Sequence, residues 1–138
     1  MDIWLGALEL IFNPVTLFCI ASGALIGVTL GSIPGLNSTM GTALLIPFTF
    51  SMSTVNGLGL LTAVYCGGTF GGSISAILFN VPGSPEASAT GLDGYPMAKR
   101  GEAAQALGFA IMCSCLGGLF SVFIMNMISP LLARVALT

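Results

Sequence analysis

A long interval without charge constrains this chain more than any other feature of its sequence. Between Glu9 and Glu86, the sequence contains no Asp, Glu, Lys, Arg or His. A soluble domain needs a charged surface, and this interval supplies none. With a mean hydropathy of +1.02 and 6% charged residues, the chain is predicted to be an all-α polytopic membrane protein. The interval allows about three crossings of roughly 20 residues, or two with a re-entrant piece.

A glycine repeat leads into the first predicted break. Gly23, Gly27, Gly31 and Gly35 recur at every fourth position. This spacing would lay a strip of bare backbone along one face of a helix, which another helix could approach closely. Pro34 has no backbone N–H, and Gly35 tolerates dihedral angles that other residues avoid. We therefore predict that the first membrane helix, which starts near residue 15, stops at this pair.

A new helix is predicted directly after this break. Asn37, Ser38 and Thr39 carry side-chain oxygens that suit helix capping. The following segment, to about residue 52, contains Pro47 and is short for a span. It is either a half-helix that enters and leaves on one side or a short tilted crossing. Broken helices at membrane depth are costly unless they line a cavity, and the pattern therefore indicates a transport site.

The third apolar segment is predicted to cross the membrane once, over residues 58–81. Asn56-Gly57, just before it, is typical of a turn. Two overlapping small-xxx-small pairs within the segment predict close helix packing, and they are formed by Gly67, Gly68, Gly71 and Gly72. A second Pro-Gly break ends the segment and is again followed by a hydroxyl group, in the order Asn80, Val81, Pro82, Gly83 and Ser84.

Residues 82–105 are predicted to form a polar loop. Five of the eight charged residues lie there, namely Glu86, Asp93, Lys99, Arg100 and Glu102. The pair Lys99-Arg100 favours the cytoplasmic side for this loop. Asp93-Gly94 is typical of a turn. A last helix is predicted over about residues 103–133, with a close-packing surface that includes Gly108, Gly117 and Gly118.

The two breaks allow binding of both anions and cations. A helix that begins inside a membrane protein presents unpaired N–H groups and a positive dipole end, which attract carboxylates. Carbonyl groups freed near Pro34 and Pro82 could coordinate a coupling cation. The chain has no His and no convincing base for Ser84, so we expect no enzyme. The four cysteines lie among apolar residues and predict no metal site, and no basic patch indicates nucleic acid.

Two signatures resemble the large permease subunit of bacterial tripartite tricarboxylate transporters. The first is Gly31-Ser32-Ile33-Pro34-Gly35-Leu36 followed by Leu44-Leu45-Ile46-Pro47. The second combines Gly71-Gly72-Ser73, Ala76-Ile77-Leu78-Phe79-Asn80-Val81-Pro82-Gly83, Ala89-Thr90, Asp93-Gly94-Tyr95-Pro96 and Gly101. Asn37 stands where this family often has another Gly. Family permeases are several times longer, so the resemblance implies an amino-terminal fragment, residues 1–138, and half of an inverted-repeat transporter.

The resemblance implies a multi-pass permease of the bacterial inner membrane that moves tricarboxylates or related carboxylates inward. An ion gradient, of Na⁺ or H⁺, would drive it, and no other cofactor is expected. A periplasmic binding protein and a small membrane subunit would be its partners. The candidate substrate or ion site comprises Pro34, Gly35, Asn37, Ser38, Thr39, Asn80, Pro82, Gly83 and Ser84, with Thr90, Asp93 and Gly94 as a loop motif.

Two other functions remain open from the sequence. A non-transporting membrane scaffold would use the glycine faces only for assembly with partner helices, and it would show no substrate dependence. A small pore-former would conduct ions when reconstituted alone. Transport instead predicts substrate-dependent uptake that requires a binding protein.

Overall fold

The computed structural model of the chain describes residue 6 and residues 9–136. From residue 14 onward the helices are α1 (Pro14–Ser32), α2 (Ser38–Thr49), α3 (Thr54–Phe79), α4 (Pro85–Lys99) and α5 (Ala103–Ala136). No strand occurs within the described ranges. Three helices, α1, α3 and α5, are long and apolar enough to cross a membrane. The prediction of an all-α polytopic membrane protein is therefore confirmed.

Helices α1 and α3 run parallel and meet through their glycines. Gly23 lies against Leu60, Gly27 against Val64 and Gly31 against Gly68, so the residue numbers rise together along both helices. A Cβ atom built on Gly23 would lie only 2.7 Å from the carbonyl oxygen of Leu60. The glycines of α3 pack equally closely against α1, because a Cβ on Gly67 or Gly71 would lie 2.6 Å from a carbonyl oxygen of α1. Bare backbone on both helices permits this approach.

Helix α2 returns the chain to the end of the bundle at which α1 began. Ser38 lies against Gly68, Gly41 lies near Val64, and Thr49 lies near Gly57, so α2 runs antiparallel to α3. Its 12 residues extend about 18 Å, which is shorter than a hydrocarbon core of about 30 Å. Helices α1 and α2 therefore form a hairpin whose tip, residues 33–37, lies beside the middle of α3.

The predicted turn at Asn56-Gly57 is wrong, because both residues lie in the first turn of α3. The side chain of Ser53 caps this helix by accepting a hydrogen bond from the Asn56 N–H at 3.5 Å. The Asn56 Oδ1 atom in turn accepts a hydrogen bond from the hydroxyl of Thr16, at 2.8 Å. Asn56-Gly57 locally prefers a turn, and tertiary contacts with α1 hold it in a helix instead.

A helix, α4, occupies most of the segment predicted to be a polar loop. Pro85 stands in its first turn, where the missing N–H costs nothing. Gly91 lies against Ala76 and Gly94 against Ile77, so α4 runs parallel to the last turns of α3. The prediction of a loop was wrong because Gly91 and Gly94 pack against α3, while the charged residues Glu86, Asp93 and Lys99 stay exposed on the same helix. Asp93-Gly94 is consequently helical, and the predicted turn there is also wrong.

Helix α5 runs back along α3 after the short connection at residues 100–102. Its residues 111–129 are exposed within this chain. Gly108, Gly117 and Gly118 have no atom within 4 Å of the position of a Cβ. The close-packing surface predicted for this helix is therefore not used inside the described part of the chain.

Candidate functional site

The first break ends α1 and starts α2 within five residues. Helix α1 stops at Ser32, and Ile33 turns to an extended conformation. Gly35 then adopts a φ of +93°, which side-chain-bearing residues rarely adopt. The Asn37 Oδ1 atom accepts a hydrogen bond from the Met40 N–H at 2.8 Å and so caps α2. The sequence at this break thus specifies a tight reversal followed by a helix start.

The second break folds differently from the first. Asn80 ends α3 in the left-handed region, with a φ of +57°, and its N–H donates to the carbonyl oxygen of Ala76 at 3.1 Å. Asn tolerates this conformation better than most residues. The chain then turns back toward the middle of α3, where Ser84 occupies the N-cap position of α4. Helix α4 therefore starts inside the bundle and runs outward.

The two breaks meet beside one turn of α3. A Cβ atom built on Gly83 would lie 2.9 Å from the Cα of Gly72, 3.2 Å from the carbonyl oxygen of Gly31 and 3.4 Å from that of Leu36. The start of α4 thus touches the end of α1 and the tip of the first hairpin. We call the residues at this meeting point, 33–38 and 82–84, the tip contact.

Gly68 and Gly72 of α3 contact the starts of α2 and α4. A Cβ on Gly68 would lie 2.9 Å from the Cα of Ser38, and one on Gly72 would lie 3.4 Å from the backbone nitrogen of Ser84. Four residues correspond to about 6 Å along a helix. Since α2 runs antiparallel to α3 and α4 runs parallel to it, the amino-terminal ends of α2 and α4 point toward each other.

Three helix ends set the electrostatics of the tip contact. Each helix start carries unpaired N–H groups and a partial positive charge. The carboxyl-terminal end of α1 supplies one opposing partial charge. Glu86 lies in the first turn of α4, where its full negative charge offsets the partial positive charge of that helix start. The first turn of α2 contains no acidic residue, so the start of α2 is the helix end that would attract a carboxylate.

Ser84 places a buried hydroxyl group at the tip contact. Its side chain makes no capping hydrogen bond, and the buried Oγ atom has no hydrogen-bond partner among the described residues. The residue is only 7% exposed. Leaving a buried hydroxyl without a partner costs about 1–3 kcal/mol. A ligand oxygen at the tip contact would satisfy it.

The other predicted site residues differ in burial and in location. Ser38 is buried, and Asn37 is half-buried at the cap of α2. Asn80 terminates α3. The remaining members of the two breaks, Pro34, Gly35, Thr39 and Pro82, are exposed within this chain. The loop-motif residues Thr90, Asp93 and Gly94 do not join the tip contact; they line a separate cavity between α3, α4 and α5.

Sequence reasoning missed this cavity because it lies between three helices. Its lining includes Ser73 from α3 together with Phe109, Cys113 and Ser114 from α5. These residues are separated along the chain by a segment that was predicted to be a loop. The spacing of Thr90, Asp93, Gly94 and Met97 along one helical face was the available signal.

Comparisons with known proteins identify the family of the chain. The family model described as the tripartite tricarboxylate transporter TctA family matches residues 17–138. The chain is 39% identical over 129 residues to an uncharacterised 52.8 kDa protein in the TAR-I ttuC′ 3′ region of Agrobacterium vitis. That match covers 94% of this chain and 26% of the relative. No solved structure matches the chain. With nearly its whole length inside the family model, the chain belongs to the tripartite tricarboxylate transporter TctA family.

Proposed function

We propose that this chain is the amino-terminal part of a permease that carries tricarboxylates or related carboxylates inward across the bacterial inner membrane. Its helices would form one half of an inverted-repeat transporter, with the tip contact as part of the substrate site. Membership of the TctA family supports the transport class.

The observation that carries the proposal is the opposition of two helix starts inside the bundle. Ser38 and Ser84 lie one α3 turn apart, on Gly68 and Gly72. The positive ends of the α2 and α4 dipoles repel each other in a medium of low dielectric constant. An anion bound between them would be attracted by both ends. Carboxylate recognition by helix starts requires no buried Lys or Arg, and the chain has neither from residue 10 to residue 85.

The two Pro-Gly breaks also suit a transport cycle. The α1–α2 hairpin contacts the start of α4 through backbone atoms at Gly31, Leu36 and Gly83. Backbone contact without interlocking side chains allows one helical group to move against another. We propose that an ion gradient drives this movement, that a periplasmic binding protein delivers the carboxylate, and that a small membrane subunit accompanies the permease.

Replacement of Ser84 by alanine tests the substrate site. Cells would express the complete permease with both proposed partners, and the uptake of radiolabelled citrate and related tricarboxylates would be measured. We expect Ser84→Ala to raise KM about tenfold, since a hydrogen bond to a charged group contributes roughly 1.5–3 kcal/mol. Thermal stability should stay the same or rise, because the Oγ atom has no partner among the described residues.

Ser88→Ala is the matched control, because Ser88 is an exposed serine on the same helix. Its KM should equal that of the parent protein. Equal KM values for Ser84→Ala and the parent would show that the tip contact is not part of the substrate site. Assembly with partner proteins but no substrate-dependent uptake would favour the scaffold, and ion conduction by the chain alone would favour the pore-former.

A further inference from the structure

An open groove between α3 and α5 holds the side chain of Glu86. Its volume is about 720 Å³. Glu86 reaches it from the first turn of α4. Most of the other lining residues are small or carry a hydroxyl group, and they include Thr69 and Ser73 of α3 and Ser114, Gly117, Gly118 and Ser121 of α5. We call this surface the α3–α5 groove.

The neighbours of Glu86 place it at membrane depth. Helix α5 is apolar enough to cross a membrane over 27 residues, Ala103–Ser129. Ser114 and Gly117, which share the groove with Glu86, lie at the centre of that stretch. Ser73 of α3 also lies inside a helix that is apolar enough to cross. The carboxylate is therefore near the middle of α5 and away from the ends of the span.

Glu86 lacks a full counter-charge within the described part of the chain. Its side chain is exposed there and forms no ion pair with a described residue. The positive end of α4 supplies about half a unit charge, against the full negative charge of the carboxylate. A charged side chain at this depth is costly unless it pairs with another group or faces water. We therefore expect a group outside the described residues to cover Glu86.

A second copy of this chain would not supply the missing positive charge. Lys99 and Arg100 follow Glu86 by about 20 Å along α4, and Arg134 follows Gly117 by about 25 Å along α5. Copies that share one orientation in the membrane would place these residues at the wrong depth. A twofold dimer through the groove would also bring two Glu86 carboxylates together, and like charges repel.

The shape of the groove favours a helix as its occupant. No atom lies within 4 Å of a Cβ built on Gly117 or Gly118, so the α5 backbone is bare along the groove. On α3, by contrast, Gly67 is covered by α1, since its Cβ would lie 2.6 Å from a carbonyl oxygen. Ser114 and Gly118 form a small-xxx-small pair, which permits equally close approach of another helix.

We propose that the α3–α5 groove receives a membrane-spanning helix from the remaining part of the same permease chain, and that a Lys or Arg of this helix pairs with Glu86. This inference rests on the proposed function, in which residues 1–138 are the amino-terminal part of a longer permease. The match to the Agrobacterium vitis relative covers only 26% of that protein, which leaves room for further helices. A helix of the same chain also stays close to the groove through its covalent connection.

Glycine substitutions test whether a helix occupies the groove. The complete permease, fused to a fluorescent protein, would be heated in detergent, and its unfolding midpoint would be measured by size-exclusion chromatography. Gly117→Leu should lower the midpoint by at least about 3 °C, because the added side chain meets the docked helix. Gly108→Leu is the matched control, since Gly108 is equally free of nearby atoms but does not line the groove. Equal midpoints for the two variants would overturn the proposal.

Charge reversal tests the ion pair. Glu86→Lys should lower the yield of folded permease at least about tenfold, because it opposes the partner's positive charge. Glu86→Asp, which keeps a negative charge at the α4 start, should retain most of that yield. In the Glu86→Lys background, each Lys or Arg beyond residue 138 would then be changed singly to Glu. One such change, in an apolar segment, should restore the yield.

Failure of every such change to restore the yield would overturn the ion pair. Restoration only by a change in the small membrane subunit would give the groove a different occupant and would also overturn the proposal. Glu102→Lys is the control for charge reversal, because Glu102 is outside the groove and pairs with Arg100 at 3.8 Å. It should lower the yield much less than Glu86→Lys.

A native thiol distinguishes a docked helix from a water-filled groove. Cys66 lines the groove and is exposed within this chain. In a complete permease with Cys66 as its only cysteine, a charged maleimide should react only after unfolding in SDS. Gly117→Leu should displace the docked helix and make Cys66 reactive without SDS. Reaction of Cys66 in the native parent permease would show that water fills the groove, and it would overturn the proposal.

These measurements do not depend on carboxylate uptake, so the two proposals fail separately. A permease with the expected midpoints, yields and Cys66 protection but no uptake would keep the docked helix and lose the transport function. Uptake by Glu86→Lys and Gly117→Leu proteins of parental stability would overturn only the docked helix.

Discussion

Gly31 of α1 lies against Gly68 of α3 so closely that a Cβ atom on Gly31 would overlap the Gly68 carbonyl oxygen. This pair is the last of a series that joins the two parallel helices. It also lies at the tip contact, since the Gly31 carbonyl oxygen faces Gly83. The packing of two long helices and the position of the candidate site are thus set by the same residue.

The first prediction concerns this helix pair. Gly31→Ala should lower the free energy of unfolding by about 1–3 kcal/mol, because the added methyl group meets backbone that cannot rotate away. Gly117→Ala is the matched control, since nothing lies within 4 Å of its Cβ position in this chain. It should be neutral or stabilising by up to about 1 kcal/mol. Thermal unfolding of the purified chain in detergent measures both, and equal stabilities would contradict the close packing.

The second prediction separates steric crowding from backbone strain at the breaks. Gly83→Ala and Gly83→Asn should both reduce folding and uptake, because any Cβ would press on Gly72 and Gly31. Gly35 has open space around it and a φ of +93°. Gly35→Ala should therefore cost about 1–2 kcal/mol from strain alone.

Asn tolerates positive φ better than Ala, so Gly35→Asn should recover part of the stability that Gly35→Ala loses. Unfolding midpoints of the four variants provide the measurement. Recovery by Asn at position 83 as well as at position 35 would show that crowding does not limit Gly83.

The third prediction uses the cap of α2 to separate folding from carboxylate binding. Asn37→Asp keeps an oxygen for the Met40 N–H and adds a negative charge at a helix start, so stability should be retained. The same charge should repel a substrate carboxylate and raise KM at least about tenfold. Asn37→Ala should instead cost about 1 kcal/mol of stability.

Uptake kinetics and thermal unfolding would be measured on both Asn37 variants. An Asn37→Asp protein that folds and transports with the parent KM would show that the α2 start does not contact the substrate.

The fourth prediction concerns the partly buried hydrogen bond between α1 and the start of α3. The Thr16 hydroxyl, on a residue only 4% exposed, donates to the Asn56 Oδ1 atom at 2.8 Å. Thr16→Val should destabilise the chain by about 0.6–1.5 kcal/mol. Asn56→Leu should cost a similar amount, and the double variant should cost less than the sum of the two. Additive effects would show that the two side chains do not interact.

Local physics made several features predictable from sequence. A proline without an N–H next to a glycine favours the end of a helix, and the first helix was predicted within a residue or two of its observed bounds, Pro14–Ser32. Asn37 was predicted to suit capping, and its side chain accepts the Met40 N–H. These outcomes depend on groups within a few residues of one another.

Features that depend on distant partners were not predictable in the same way. Residues 85–99 contain three of the chain's charged residues and two internal glycines, which locally favour a loop. They form a helix because Gly91 and Gly94 lie against Ala76 and Ile77 of α3. Packing against a neighbouring helix outweighs a preference of a few tenths of a kcal/mol per residue. The cavity that contains Asp93 depends on that same packing.

By itself, the sequence determined that this protein lies in a membrane, that its helices break at two Pro-Gly pairs and that its glycines allow close approach, because each of these follows from missing charge, missing N–H groups or missing side chains. Only the tertiary structure decided that α1 and α3 run parallel, that the two breaks meet on Gly68 and Gly72, and that α2 and α4 begin face to face. Those relations depend on the direction in which each helix runs relative to the others. Contacts between residues far apart in the chain fix that direction.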